Sequence, residues 1–301
     1  MSILFDSFAE WKQCLEQTNV PVWQPVLQYE MEQKGRTETE IWEGIAHAYR
    51  VMGEAIETGL VADMTSISGM INNGAKKIKE CKINVLDDNF RTLLYRTIAA
   101  KEVNSCMGRI VAAPTAGASG ILPGILYHLQ DIHSLPNRTI HESMLVAAGI
   151  ALIIEKRASI AGAVGGCQAE TGTAAAMGAG AIVYALGGNL EQIFDSVSIT
   201  IMNMLGLICD PIAGLVEVPC VKRNGSGVVI AYAAAQMALA NDSSIIPVDE
   251  VVDVMGEVGE SMETRYKETA LGGLAATPTG KAIAERVLKT SAEILPSEEI
   301  N

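Results

Sequence analysis

The chain has 301 residues, 49% of them hydrophobic but only 5% aromatic, and a formal net charge of -13. That acidity argues against nucleic acid and anionic membrane as partners, since both call for basic patches. With no Pro/Ser-rich linker or charge block, residues 1–301 read as one domain. Its abundant Gly and Ala call for helices in close contact, with Leu, Ile, Val and Met filling the gaps.

The start, Met1-Ser2-Ile3-Leu4-Phe5-Asp6, meets an acid at once and lacks a basic segment before an apolar one, so no leader peptide is expected. The cysteines are scattered, which suits a cytoplasmic protein with reduced thiols better than a disulfide framework. The first sixty residues read as helices with a polar face. Trp11, Cys14 and Leu15 share an i, i+3, i+4 stripe, which makes Cys14 a core residue. Thr37-Glu38-Thr39-Glu40 has the form of a capping box, and the helix after it turns Ile41, Ile45, Tyr49 and Met52 inward, with His47 an ordinary surface or partly buried residue.

Residues 63–77 run through small hydroxyl side chains and a glycine into a helix-compatible stretch, the make-up of a helix N-terminus. Such an end binds an anion through free N–H groups or is simply capped by its own Ser and Thr. The residues alone leave both open. Cys81 sits among charged neighbours in an exposed context. Phe90, Leu93, Leu94 and Ile98 mark a helix that leads to Lys101, which could hold a carboxylate or move a proton, or be solvated as most lysines are. Cys106 reads as a packed thiol.

The glycine-rich loop expected over residues 114–124 lacks both the Gly-Lys-Ser/Thr ending of a P-loop and the Gly-x-Gly-x-x-Gly of a dinucleotide site. His128, His133 and His141 do not share a helical face, and Pro136 interrupts them, so no three-histidine metal site is expected. Thr139-Ile140-His141-Glu142 has the form of a second capping box. Residues 144–154 fall short of the about 20 that a bilayer requires, and residues 171–188 are mostly Ala and Gly; both read as helices buried on all sides.

Asn189-Leu190-Glu191-Gln192 caps a further helix. Residues 222–227 read as a polar loop whose cations either balance a negative site or form a surface turn. Val251, Met255, Val258 and Met262 give one more helix, and residues 283–288, after the turn Thr277-Pro278-Thr279-Gly280, give the last. No strand-period alternation persists, so the expected fold is all-α, a compact helical domain with Gly/Pro-rich loops.

Three cysteines lie against glycine or proline, in Gly165-Gly166-Cys167-Gln168-Ala169-Glu170, Cys209-Asp210-Pro211 and Val218-Pro219-Cys220. Without a Cys-x-x-Cys pair they are either small buried hydrophobes or ligands. Three cysteines on a [4Fe–4S] cube, in place of the usual four, leave one iron open. An open iron is a Lewis acid that can take a hydroxyl and a carboxylate and weaken a C–O bond.

Together with Ala113-Pro114-Thr115-Ala116-Gly117-Ala118-Ser119-Gly120 and Ser66-Ile67-Ser68-Gly69-Met70, these motifs resemble the iron–sulfur-dependent L-serine dehydratases, in particular the alpha subunit of the two-subunit form. The resemblance extends from near Val20 to near Glu285. It implies a [4Fe–4S] cluster on Cys167, Cys209 and Cys220, no pyridoxal phosphate, and elimination of water from L-serine to give pyruvate and ammonia. It favours substrate binding by Ser66, Ser68, Gly69, Met70 and Asn72, and sets Thr115, Gly117 and Ser119 beside the cluster, where backbone must approach closely. It also implies a smaller beta subunit as partner, on which the general base could reside; Lys101 is the candidate within this chain. Some single-chain relatives close the open iron with a C-terminal cysteine. The ending Leu295-Pro296-Ser297-Glu298-Glu299-Ile300-Asn301 has none, which leaves water or a group of the partner for that place. Two other readings stay open: an L-cysteine desulfidase of similar fold, and a noncatalytic iron–sulfur scaffold for a partner subunit.

Overall fold

The computed structural model describes residues 5–294; residues 1–4 and 295–301, which bear on the leader and C-terminal cysteine readings, lie outside the described residues. The described residues form thirteen α-helices and no strand. These are α1 (Phe8–Thr18), α2 (Gln24–Lys34), α3 (Glu38–Val61), α4 (Gly74–Glu80), α5 (Asp88–Ser105), α6 (Ile121–His133), α7 (Asn137–Arg157), α8 (Gly162–Gly165), α9 (Thr173–Ala185), α10 (Leu190–Met202), α11 (Cys220–Leu239), α12 (Val248–Ser261) and α13 (Pro278–Ile294). The all-α expectation is met. No described helix is long and apolar enough to cross a membrane.

The centre of the fold is α9, whose sequence TAAAMGAGAIVYA has no polar face because nearly every residue is buried. Helices α6, α7, α10 and α11 surround it. Its glycines set how close they come: a Cβ on Gly178 would stand 2.3 Å from Ile125 Cδ1 of α6, and one on Gly180 would stand 2.3 Å from Ile150 Cδ1 of α7. The interior therefore closes through small residues with Ile and Leu between them, as the composition implied. At the outer end of this core, Phe5, Phe8 and Trp11 gather with Phe194 of α10.

The same logic joins α3 to α5. A Cβ on Gly59 would lie 2.3 Å from the carbonyl oxygen of Ala99, an immovable backbone atom. Gly59→Ala is therefore expected to destabilise the protein by about 1–3 kcal/mol, read as a melting midpoint lower by several degrees; an unchanged midpoint would mean that the two helices do not meet there.

Capping by local side chains holds at α3, where Thr37 and Glu40 satisfy each other's backbone, and at α10, where Asn189 and Gln192 do the same. The box expected at Thr139 does not form. Pro136 occupies the N-cap, α7 opens at Asn137, and Glu142 bonds Arg138 and Tyr184 instead. Three expected loops also prove shorter: residues 222–227 are the first turns of α11, residues 121–124 open α6, and α13 starts at Pro278. Glycine disfavours helix only weakly, and packing overrides it. Gly225 and Gly227 would carry a Cβ 3.0 Å from Leu94 Cδ1 and 2.7 Å from Ile121 Cδ1, so their bareness seats α11 on α5 and α6.

Candidate functional site

The N-terminal ends of α6 and α11, and the π-helical turn Gln168–Gly172 that leads into α9, converge at one end of the bundle. Asn224, fully buried in the first turns of α11, ties them together. Its Oδ1 accepts from the Gly120 amide at 3.0 Å, and its Nδ2 donates to the carbonyls of Gly117 at 2.8 Å and Cys220 at 2.9 Å. Helix N-termini carry partial positive charge and free amides, so a meeting of them favours anionic groups.

The three expected cysteines are buried here. Cys167 follows Gly166, whose positive φ of 75° and closeness to the Leu207 carbonyl leave no space for a Cβ. Cys209 is held by a short parallel bridge, its amide donating to Tyr266 O and its carbonyl accepting from the Glu268 amide. Cys220 is the first residue of α11. The sulfurs of Cys167 and Cys209 and a carboxylate oxygen of Glu170 lie within 4.8 Å of one another, a set able to hold a metal ion. Glu170 fits because Gly162 and Gly117 are bare: a Cβ on Gly162 would be 2.8 Å from its Oε2 and 3.3 Å from Cys209 Sγ. Thr115 Oγ1 donates to Oε1 at 2.8 Å. Cys220 stands outside this tight trio, yet its charge bears on Cys209, Cys167 on Cys220, and Cys220 on Lys101.

Electrostatics sort the thiols. A hydrogen bond from Cys209 and the guanidinium of Arg223, whose Nη1 is 3.4 Å from the sulfur, bring the Cys167 thiol below its ordinary value. That same bond, with burial, raises Cys209. Burial pushes Cys220 up to about 12, and burial also raises Glu170. Arg223 is fixed by Asp210 Oδ1 at 2.8 Å and Ile208 O at 2.9 Å. Three thiolates cannot gather in so dry a place on one guanidinium; a soft, multiply charged metal centre is the kind of partner that would let them ionise. The donor set therefore fits an iron–sulfur group.

A second set of polar groups adjoins the first. Lys101 is fully buried, its Nζ donating to Val216 O at 3.0 Å and to Asn104 Oδ1. Burial lowers its pKa to about 8, against the pull of Cys220, Glu170 and Glu217. Ser66 Oγ donates to Glu217 Oε2 at 2.6 Å, and Ser68 Oγ donates to the same atom. Ser119 Oγ is buried without a hydrogen-bond partner among the described residues. Gly69 and Met70 line the outer side of the serine turn, and Asn72 is exposed, accepting from Lys77. The amides that open α4, Gly74 and Ala75, are taken by the carboxylate of Glu102 at 2.7 and 3.1 Å, so this helix end is capped from within.

Of the remaining cysteines, Cys14 is half-buried on α1 and Cys81 is exposed, while the half-buried Cys106 adjoins Lys101 and Glu217 without joining the group of Cys167, Glu170 and Cys209. The histidines have separate surroundings, His128 against Tyr232 and His141 against Tyr49. Burial lowers His128 to about 4. The sequence motifs assign no role to Glu170 and do not single out Glu217 or Asn224. The available signal was one-turn spacing: Glu170 is three residues after Cys167, and Glu217 three before Cys220.

The family model described as "Serine dehydratase alpha chain" matches residues 17–275, a span that includes every candidate residue above. The chain belongs to this serine dehydratase alpha-chain family. Among its relatives, the "L-serine dehydratase, alpha chain" of Peptoniphilus asaccharolyticus is 42% identical over 273 residues, covering 90% of this chain and 94% of that one. A "Probable L-serine dehydratase, alpha chain" of Bacillus subtilis is 38% identical over 287 residues, 94% of this chain and 95% of the relative. The "L-serine dehydratase" of Streptomyces coelicolor is longer; 38% identity over 257 residues covers 83% of this chain but 56% of that protein. Membership of the serine dehydratase alpha-chain family gives the convergence of thiols, Glu170 and Lys101 a chemical context.

Proposed function

We propose that this chain is the catalytic alpha subunit of an L-serine dehydratase, which eliminates water from L-serine to leave pyruvate and ammonia, and that Cys167, Cys209 and Cys220 hold a [4Fe–4S] cluster. The observation that carries the reading is the grouping of the buried Cys167 and Cys209 sulfurs with Glu170 beside Arg223, with the buried Cys220 close enough for Cys167 to raise its thiol. When bound, a cluster with three cysteine ligands supplies a Lewis-acidic iron that polarises the substrate hydroxyl; pyridoxal phosphate has no part in this reading. Arg223 offsets thiolate charge, and Thr115 orients Glu170. The turn from Ser66 to Met70, with Asn72 at its outer end, forms one wall of the substrate pocket, and Gly117 and the unpartnered hydroxyl of Ser119 belong to another. Lys101 takes the Cα proton: burial lowers its pKa to about 8, which makes the neutral amine accessible around that pH, and Asn104 and Val216 hold Nζ in place. The names of two relatives, both alpha chains, and the extra length of the Streptomyces protein support a beta subunit as partner.

The test is anaerobic reconstitution with iron and sulfide, together with the beta subunit, followed by assays of pyruvate from L-serine and sulfide from L-cysteine. Pyruvate formation and an EPR spectrum altered by L-serine are expected. Faster sulfide release would favour a desulfidase, and an intact cluster without turnover of either amino acid would leave only a scaffold.

A further inference from the structure

The turn from Ser66 to Ile71 looks made for a substrate carboxylate, yet it already holds one. Both serine hydroxyls donate to Glu217 Oε2, and the amides of Met70 and Ile71 turn back onto those same hydroxyl oxygens at 3.0 and 3.1 Å. The Gly69 amide bonds Ser66 O at 2.9 Å. The serine hydroxyls and the amides of Gly69, Met70 and Ile71 are thus spent on the turn itself and on Glu217. Glu217 is 4% exposed, and its Oε1 receives no hydrogen bond among the described residues. A carboxylate that accepts two hydroxyls on one oxygen is an acceptor with its other oxygen bare.

Its position is next to the chemistry. Glu217 is one turn before Cys220, with the Val221 amide bonded to its carbonyl, and the preceding carbonyl, Val216 O, holds Lys101 Nζ. The charges of Glu217, Glu170 and Cys220 all bear on that one ammonium. Lys101 does not neutralise Glu217 directly, because its hydrogen bonds go to Asn104, Ser105 and Val216. A buried anion with a bare oxygen repels the carboxylate end of an amino acid and attracts its ammonium.

Resting on the serine dehydratase reading, we infer that Glu217 is a specificity-determining residue whose Oε1 receives the α-ammonium of the substrate, with Ser66 and Ser68 acting by fixing this carboxylate. The class of ligand it selects is the 2-amino acid over the plain hydroxy acid of the same length. A charge-assisted hydrogen bond from ammonium to carboxylate corresponds to roughly a 10- to 100-fold preference.

The experiment uses the reconstituted complex and two probes, L-serine and 3-hydroxypropionate, which keeps the carboxylate and hydroxyl but has no ammonium. Dissociation constants come from titrating the EPR signal, with KM and kcat measured alongside. Wild type is expected to prefer L-serine strongly, and Glu217→Gln to weaken L-serine by roughly 10- to 100-fold, mostly in KM, with 3-hydroxypropionate changed by less than about threefold. A purely structural role for Glu217 would weaken both probes together, and that result overturns the inference. If the variant does not fold, the wild type decides: equal affinity for the two probes also overturns it. A wild-type complex that neither binds nor converts L-serine sinks the dehydratase reading as well, whereas normal turnover with unchanged probe preference in Glu217→Gln removes the ammonium assignment alone.

Discussion

Alanine in place of Cys167, Cys209 or Cys220 is expected to leave reconstituted protein without its cluster, iron content falling from about four per chain toward zero and pyruvate formation disappearing with it. Each sulfur comes from a different segment: the junction of α8 with the turn before α9, the bridge to Lys267, and the first residue of α11. Of the other thiols, Cys81 is exposed, Cys14 sits on α1, and the half-buried Cys106 adjoins Lys101 and Glu217 but is outside the group of Cys167, Glu170 and Cys209. Cys14→Ala is the control and should retain full iron and activity. Circular dichroism would show that the site variants still fold, since the helices are held by the small-residue contacts of α9 and not by the thiols. Full iron content in Cys209→Ala would exclude that sulfur from the ligand set.

Lys101→Met separates catalysis from stability. A general base contributes typically 10²–10⁴-fold, so kcat should drop by about that factor. The melting midpoint should hold or rise, because burial disfavours the ammonium at a fully enclosed position and methionine has a similar unbranched stem. Val216 O keeps a donor in the variant, as Ser105 Oγ also reaches it at 3.0 Å. The pH dependence has a definite sign. A base works as the neutral amine, so wild-type kcat should climb through pH about 8 and level off above it, a limb absent from the variant. Stability follows the same displacement: with the folded pKa near 8 and the ordinary lysine value of 10.5, the unfolded chain binds more protons between them. Wild type should therefore gain stability relative to Lys101→Met as pH rises across that window. A rate loss below about threefold would remove Lys101 as the base.

Local chemistry made much of the fold legible. The stripe of Ile41, Tyr49 and Met52 and the caps at Thr37 and Asn189 follow from spacings of three and four residues, which are properties of a single helix. Where the expected boundaries failed, packing had overruled propensity: Gly225 and Gly227 resemble a loop, yet their missing side chains are what let α11 lie on α5 and α6. The helix end at Gly74 resembled an open anion site because Glu102, which fills it, is 28 residues away in sequence.

The amino-acid sequence by itself determined that this protein is helical, that its core is built from Ala and Gly, and that Cys167, Cys209 and Cys220 stand out at Gly and Pro junctions, since each of these is a matter of composition or short spacing. Only the tertiary structure decided which carboxylates face those sulfurs and what occupies the serine turn. Glu170 meets Thr115 across 55 residues, and Ser66 meets Glu217 across 151, contacts that depend on how α5, α9 and α11 approach one another and leave no periodic trace along the chain.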